Sequence, residues 1–144
     1  IKLDPAFTNS TTYPWTVTTN DKHSGAYSVK SGNGGTNSST SDLTLIVNIT
    51  NEATVSFWSK VSSEANYDYG RFLIDNVQKF QVSGTTNNWT QYSYDLTSGT
   101  HTLIWRFYKD GSDYSAVGDD CFYVDDIVIG SDSVSSWTTY TATG

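Results

Sequence analysis

Alternating apolar and polar residues fill the chain from Thr54 to Ile129, and this period of two restricts the fold more than any other feature. Alternation puts every second side chain on the same face of a β-strand, so one face can be buried while the other meets solvent. The intervening segments, such as TSGT and KDGSD, are rich in turn-forming residues. The pattern therefore predicts an all-β chain whose antiparallel strands form two packed sheets.

The turn-rich segments divide the chain into short strands. The predicted strands are Trp15–Thr18, Ala26–Ser31, Leu43–Ile49, Thr54–Val61, Arg71–Asp75, Lys79–Val82, Thr90–Leu96, His101–Tyr108 and Cys121–Ile129. Many short strands at regular spacing favour a two-sheet antiparallel β-sandwich of the jelly-roll type. We expect this domain to occupy residues 1–130. The Ser/Thr/Gly-rich residues 131–144 are expected to be a linker or the start of a following domain.

Composition narrows the possible partners. A chain of 144 residues suits one domain, which we expect to be a monomer. The formal net charge of −7 and the absence of a basic cluster argue against nucleic acid, and no apolar run is long enough for membrane insertion. Aromatic residues make up 15% of the chain. Such an abundance either supplies surface rings that contact a ligand or reflects the usual preference of β-sandwiches for aromatics.

The ends of the chain and its polar composition suggest a location. The chain begins IKLDPAF without Met, and few Lys accompany many Thr, Ser, Asn and Tyr. We therefore expect a piece of a longer extracellular protein, secreted or on the cell surface, with neighbouring domains of the same polypeptide as partners. The single cysteine, Cys121, is expected to be a half-buried strand thiol, since no base accompanies it in the pattern.

Two central strands have faces that can be assigned from the alternation. Their apolar sets, which we expect in the core, are Val55, Phe57, Val61, Leu103, Trp105 and Phe107. The opposite faces carry Trp58, Lys60, Arg106 and Tyr108. If the strands share a sheet, these four side chains form a surface suited to a sugar, whose ring has an apolar C–H face and a hydroxyl rim. Trp58 is then the predicted stacking platform, unless a loop or neighbouring domain covers it.

The last predicted strand contains adjacent carboxylates, Asp125 and Asp126. By alternation, Phe122, Val124, Asp126 and Val128 share one face, and Cys121, Tyr123, Asp125, Ile127 and Ile129 share the other. Whichever face is buried, one carboxylate is expected to be buried with it, at a cost of several kcal/mol if it is unpaired. A cation, an arginine or a group of backbone N–H donors must neutralise it. The acidic composition favours a calcium ion.

Several segments resemble a known kind of domain. The segments VSFWSKVSSEANYDYGRFLID, SGTTNNWTQYSYDL, GTHTLIWRFYKD and CFYVDDIVI, in this order, resemble MAM-like and cleaved-adhesin-like jelly-roll domains of bacterial and archaeal surface and secreted proteins. The earlier segment TNDKHSGAYSVKSG is similar to a strand of jelly-roll carbohydrate-binding modules. The resemblance covers about residues 12–130 and implies a concanavalin-A-like sandwich without catalytic residues.

The resemblance also implies a structural calcium between the first strands and the last. Its ligands would be Asp125 or Asp126, with oxygens of the TNDKHSG turn from Asp21, the Lys22 carbonyl or Ser24. A second candidate is the acidic loop, which contains Asp110, Asp113, Asp119 and Asp120. That loop lacks the residue spacing of an EF-hand. The alternative is that its carboxylates are solvated and bind no metal.

Two classes of function remain for this sequence. The first is a non-catalytic carbohydrate-binding module of a larger protein, and the second is an adhesion or spacer domain that binds protein or no ligand. Enzyme activity is not expected, because no nucleophile with a base and no histidine metal motif is present. Glu64 and Asp68 could in principle act as paired glycosidase carboxylates, but they lie in one loop and are expected to anchor it.

Overall fold

The computed structural model describes residues 7–85, 87–111 and 118–130, together with the backbone of 132–133. Within these residues the regular structure is entirely strand, as the alternation predicts. The strands are β1 (Phe7–Asn9), β2 (Thr16–Thr18), β3 (Ser28–Lys30), β4 (Ser39–Ile49), β5 (Ala53–Ser62), β6 (Tyr69–Ile74), β7 (Val77–Val82), β8 (Thr90–Leu96), β9 (Gly99–Lys109), β10 (Cys121–Ile129) and β11 (Asp132–Ser133).

The strands form two antiparallel sheets. One sheet has the order β1-β4-β9-β6-β7, and the other has the order β2-β3-β10-β5-β8, with β11 paired to β10. Strands adjacent in the chain often lie in different sheets, so the chain crosses repeatedly between the layers, as it does in a jelly roll. This sandwich confirms the predicted fold class.

The core lies between the two sheets and contains the residues that alternation assigned to it. Phe57 of β5 and Trp105 of β9 are both fully buried and meet edge to face, with ring centroids 5.5 Å apart. Phe72 of β6 packs 4.7 Å from Phe57. Burying side chains of this size stabilises the fold by roughly 1.5–3 kcal/mol each. The core therefore holds the sheets together across strands that are far apart in the sequence.

Two short strands were not predicted. β1 and β11 have three and two residues, which is too short for alternation to be visible. β1 is held by pairing with β4, and Phe7 packs 6.3 Å from Trp105. The pairing of β11 with β10 extends the sheet three residues past the predicted domain end. Of the linker predicted for residues 131–144, residue 131 and residues 134–144 lie outside the described residues.

A β-bulge in β10 changes the expected faces of the Asp-Asp pair. Asp125 pairs with Trp58 and Val128 with Ser56, so two residues, Asp126 and Ile127, stand opposite one. Asp126 has a φ of 51°, in the left-handed region. The extra residue turns Asp126 outward and sends Ile127 into the core, where it is fully buried. One carboxylate is buried, as predicted, and it is Asp125, which lies on the outer face of this sheet and not between the two sheets. The assignment of Ile127 to the face of Asp125 is wrong, because the bulge shifts the alternation by one residue.

Candidate functional site

The turn of residues 21–24 lies over the bulge of β10 and covers Asp125. The backbone N–H groups of His23 and Ser24 donate to Asp125 Oδ2 at 3.1 and 3.2 Å, and the N–H of Asp126 donates to Oδ1 at 2.8 Å. Asp125 is 2% exposed. A group of backbone donors therefore binds this carboxylate, which is one of the three means of neutralisation considered from the sequence.

The neighbouring carboxylate is held by side chains of the same turn. Asp126 Oδ2 lies 2.6 Å from Nδ1 of His23, and the Ser24 hydroxyl donates to both carboxylate oxygens of Asp126 at 2.8 and 2.7 Å. The structure thus brings together Asp125, Asp126 and Ser24, as the resemblance implied. We call the turn of residues 21–24 and the bulge of β10 the corner.

Asp21 completes the corner on the side of β5. The Lys60 ammonium donates to Asp21 Oδ2 at 2.6 Å, and the Trp89 indole N–H donates to Oδ1 at 2.9 Å. Burial alone would raise the pKa of Asp21, but the hydrogen bonds from Lys60 and Trp89 outweigh it and hold that pKa below its ordinary 3.8. The Lys22 backbone N–H also donates to Asp21, at 2.9 Å. Asp21 is therefore ionised and closes an ion pair with Lys60.

Trp58 lies beneath this turn. Its indole is stacked on the imidazole of His23, with centroids 3.7 Å apart and 13° between the planes. The outward face predicted for Trp58 is correct, but one side of the ring is already occupied by His23. Lys60, on the same face of β5, is held by Asp21. The structure gives both residues partners within the protein, and their role in binding a ligand stays a prediction.

The other two predicted binding residues lie on the opposite side of the molecule. Arg106 and Tyr108 belong to β9 in the five-stranded sheet, whereas Trp58 and Lys60 belong to β5 in the six-stranded sheet. The expectation that the four share one surface is therefore wrong. Alternation identifies the outward face of a strand, but hydrogen bonds to distant segments decide which sheet the strand joins.

Two residues of β6 join Arg106 and Tyr108 on the outer face of the five-stranded sheet. Tyr69 pairs with Tyr108, and Arg71 pairs with Arg106, so the four side chains share one face. The Arg71 guanidinium carbon lies 4.5 Å from the ring centre of Tyr108 and 5.5 Å from that of Tyr69. All four residues are half-buried. We call these four residues, together with Asp42, the Tyr–Arg face.

Asp42 of β4 binds Arg106 at the edge of this group. Nε and one Nη of Arg106 donate to the two oxygens of Asp42 at 2.8 and 2.9 Å, which is a bidentate pair. This pair raises the pKa of Arg106 above its ordinary value, because the hydrogen bond from Arg106 to Asp42 and the charge of Asp42 outweigh burial. The charge of Arg106 is thereby balanced within the face.

The second predicted metal site is occupied in part by a buried lysine. Lys109, which is fully buried, places its ammonium 3.0 Å from Asp68 and 2.7 Å from Asp120. In the described part of the chain, the group of acidic side chains close enough to hold a metal is Glu64, Asp68 and Asp110, within 4.8 Å of one another. Asp113, part of the loop considered from the sequence, lies outside the described residues.

The contacts of Asp68 and Cys121 agree with structural roles. Asp68 also accepts the backbone N–H of Asp110 at 3.1 Å, so it anchors the loop that precedes β6, as expected. Burial raises the pKa of the Cys121 thiol to about 12, which keeps it protonated at neutral pH. Cys121 is a strand residue, though more deeply buried than predicted.

Sequence reasoning missed Tyr69, Arg71, His23 and Trp89 as site residues. Tyr69 and Arg71 alternate around Gly70 in the segment YGRF, a two-residue period that could have placed them on one face of a strand. Gly70 is required there, because a Cβ at this position would lie 2.6 Å from the Phe122 ring. The turn of His23 and the loop of Trp89 carry no such signal, because their positions follow from tertiary contacts.

Solved structures with this architecture include several sugar-binding domains. The chain is similar to the CBM22-1 xylan-binding domain of Xyn10C from Paenibacillus barcinonensis, with 15% identity and a TM-score of 0.59 over 94% of this chain and 90% of that one. It is similar to the K3 cleaved adhesin domain of Lys-gingipain from Porphyromonas gingivalis, with 16% identity and a TM-score of 0.63 over 89% and 93% of the two chains. TmCBM61, solved with β-1,4-galactotriose, shares 13% identity and a TM-score of 0.55 over 89% of each chain.

These similarities establish the fold. The protein is a jelly-roll β-sandwich domain of the kind found in carbohydrate-binding modules and cleaved adhesin domains, as the sequence resemblance predicted. No protein-family model and no curated protein sequence matches the chain. Nowhere in the described residues is there a helix with the length and apolar character needed to cross a membrane.

Proposed function

We propose that this domain is a non-catalytic carbohydrate-binding module of a larger secreted or cell-surface protein, and that it binds a polysaccharide on the Tyr–Arg face. The observation that carries the proposal is the pairing of Tyr69 with Tyr108 on neighbouring strands of an outer sheet face, with Arg71, Arg106 and Asp42 beside them. The sugar-binding domains among the structural neighbours support the same class of function.

The chemistry of the face suits a sugar ring. The tyrosine rings offer flat apolar surfaces for the C–H face of a pyranose, and the phenol hydroxyls remain at the edges of the rings. The guanidinium groups donate hydrogen bonds, and Asp42 accepts them, so both polarities that hydroxyl groups require are present. Because the face belongs to long paired strands, its side chains are arranged before the ligand arrives, which reduces the entropic cost of binding.

The experiment is a screen of soluble polysaccharides, including xylan and β-1,4-galactan, by affinity electrophoresis. We expect Tyr108→Ala to lose most of the retention that the wild type shows, while Tyr108→Phe keeps the ring and retains most of it. Trp58→Ala is the matched control on the opposite sheet. If Trp58→Ala loses retention and Tyr108→Ala does not, the binding surface is the one around Trp58 and Lys60.

The second candidate is an adhesion or spacer domain that binds protein or no ligand. The similarity to a cleaved adhesin domain favours it. A wild-type protein that binds no polysaccharide in the screen, yet unfolds cooperatively, would support this function over the first.

We also propose one structural calcium at the corner. Its support is the chemistry of the donor set, which comprises the carboxylates of Asp21, Asp125 and Asp126 and the Ser24 hydroxyl, with the Lys22 carbonyl as a further ligand expected from the resemblance. Oxygens of the three carboxylates do not all lie within 4.8 Å of one another, so an ion would have to draw them together. These are the hard oxygen ligands that calcium prefers, and the residues present fit that ion chemically. Asp125 Oδ2, Asp126 Oδ2 and Asp21 Oδ1 each already make two hydrogen bonds. Asp126 Oδ1 and Asp21 Oδ2 make one each, which leaves a lone pair on these two oxygens for an ion.

Thermal unfolding with calcium and with a chelator tests this second proposal. Calcium at about 100 times its Kd stabilises a folded protein by roughly 2.7 kcal/mol. We expect Asp126→Asn to lose most of this effect. Identical melting curves, with no metal in elemental analysis, would remove the proposal. An equal calcium effect in wild type and Asp126→Asn would place the ion elsewhere, with Glu64, Asp68 and Asp110 as the next candidates.

A further inference from the structure

The two arginines of the Tyr–Arg face differ in how their charges are balanced. Arg106 is neutralised by a bidentate pair with Asp42. Arg71 donates from Nε to the side-chain oxygen of Gln81 at 3.2 Å, and its guanidinium lies against the two tyrosine rings. Across residues 7–85, 87–111 and 118–130, no carboxylate forms an ion pair with Arg71. The face therefore retains one uncompensated positive charge.

This charge is held in a defined position. The Tyr69 and Tyr108 rings lie against the guanidinium, and Gln81 fixes the Nε side of it. Among the described residues no acceptor binds the Nη groups, which can therefore donate to a ligand. A planar guanidinium with a fixed orientation is well suited to bind an oxyanion through two parallel hydrogen bonds. A sugar stacked on Tyr108 would bring a substituent of its ring within reach of Arg71.

From this geometry we infer that the Tyr–Arg face selects saccharides that bear an oxyanion, with the carboxylate of a uronic acid bound by Arg71. The inference rests on the proposed polysaccharide function and specifies its substrate class. The two oxygens of a carboxylate match the two donors of a guanidinium in one plane, and two oxygens of a tetrahedral sulfate ester can accept the same pair of hydrogen bonds. Uronate and sulfate are therefore separated by experiment.

The acidity of the whole domain does not cancel this selectivity. The net charge is −7, yet charges on an exposed surface are screened beyond a Debye length of about 8 Å at physiological salt. The nearest opposite charge on the face, Asp42, is already bound to Arg106. A ligand on this face therefore meets the local charge of Arg71 more strongly than the distant carboxylates, and its binding should weaken as salt increases.

The test compares polygalacturonate with the same polymer after carboxyl reduction, which is a neutral galactan. Wild type should prefer the polyuronate by about tenfold in Kd, the ratio that one charge-assisted hydrogen-bonded contact supports. Arg71→Gln should remove the preference, so that the ratio of the two Kd values falls close to one within that variant, whatever its absolute affinity for the neutral galactan. Arg71→Lys retains the charge without the planar fork and should keep only part of the preference. The ratio of the Kd for dextran to the Kd for dextran sulfate measures the preference of the domain for a sulfate ester.

The outcomes separate the inference from the proposed function. If the wild type binds polygalacturonate and the carboxyl-reduced galactan equally, the inference is overturned while the polysaccharide function stands. The same holds if Arg71→Gln leaves the ratio of the two Kd values unchanged and has an unaltered melting temperature. A preference for dextran sulfate with none for polygalacturonate overturns the assignment to uronate. Binding to none of the four polymers or the screened polysaccharides overturns the proposed function as well.

Discussion

His23 is stacked on Trp58 at a centroid separation of 3.7 Å, and this contact joins the turn after β2 to the middle of β5. The same turn donates two backbone N–H groups to Asp125 in the last long strand, about a hundred residues away in the chain. Aromatic stacking and charge-assisted hydrogen bonds thus anchor the early turn on the six-stranded sheet. The outer face of the opposite sheet instead carries the half-buried rings of Tyr69 and Tyr108.

Replacing Trp58 with Ala is expected to affect stability more than ligand binding. The change removes the His23 stack, and aromatic pairs contribute about 0.5–1.5 kcal/mol beyond the area that they bury. We expect a lower urea midpoint for Trp58→Ala and unchanged retention on the polysaccharide that the wild type binds. An unaltered midpoint with lost retention would instead support the ligand role predicted from the sequence.

Asp125→Asn should destabilise the domain by about 2 kcal/mol, because hydrogen bonds to a charged acceptor are stronger than those to an amide, and the new NH2 group faces backbone donors. Urea unfolding measures the loss. Asp95→Asn is the control, since Asp95 is exposed on β8 with one long contact of 3.4 Å to Thr54. Equal losses in the two variants would contradict the assigned role of the backbone donors.

Lys109→Met tests the buried ion cluster. The change leaves the Asp68 and Asp120 carboxylates buried without their cation, and breaking a buried pair in this way typically costs about 3–5 kcal/mol. Lys79→Met, at an exposed position of β7, should change stability little. Chemical unfolding measures the free energy of unfolding of the two variants. A small effect of Lys109→Met would mean that the cluster relaxes or admits water.

His101 should make the stability depend on pH. Its hydrogen bond to Asp75, then that to the Thr97 carbonyl, raises the pKa of His101 above its ordinary 6.5. The folded state therefore holds this proton more tightly than the unfolded state. The resulting stabilisation is complete below pH 6.5 and is lost as the pH rises through the folded-state pKa.

The variant His101→Gln measures this contribution. Wild type should exceed His101→Gln in stability by more at about pH 5.5 than at about pH 8.5, because the proton is bound only at the lower pH. An NMR titration of the imidazole provides a direct check. A midpoint at or below the ordinary value would show that the contact with Asp75 does not hold the charged form.

Local strand geometry made the core predictable from the sequence. The alternation around Phe57 and Trp105 assigned the buried faces correctly, because neighbouring side chains of a strand must point to opposite sides. The same logic identified Tyr108 as outward-facing. It also predicted that one carboxylate of the Asp125–Asp126 pair is buried and needs a neutralising partner. Each of these conclusions depends on residues next to one another in the chain.

Tertiary structure alone decided which of these faces meet. The separation of Trp58 from Tyr108, the pairing of Tyr69 with Tyr108, and the bulge that turns Asp126 outward all depend on hydrogen bonds between distant segments. A strand's own sequence does not specify its neighbour, because the backbone donors and acceptors are the same in every strand and the choice is made by packing of the whole core. The candidate site is therefore a product of sheet assembly, while the alternating pattern of the chain determined the sandwich.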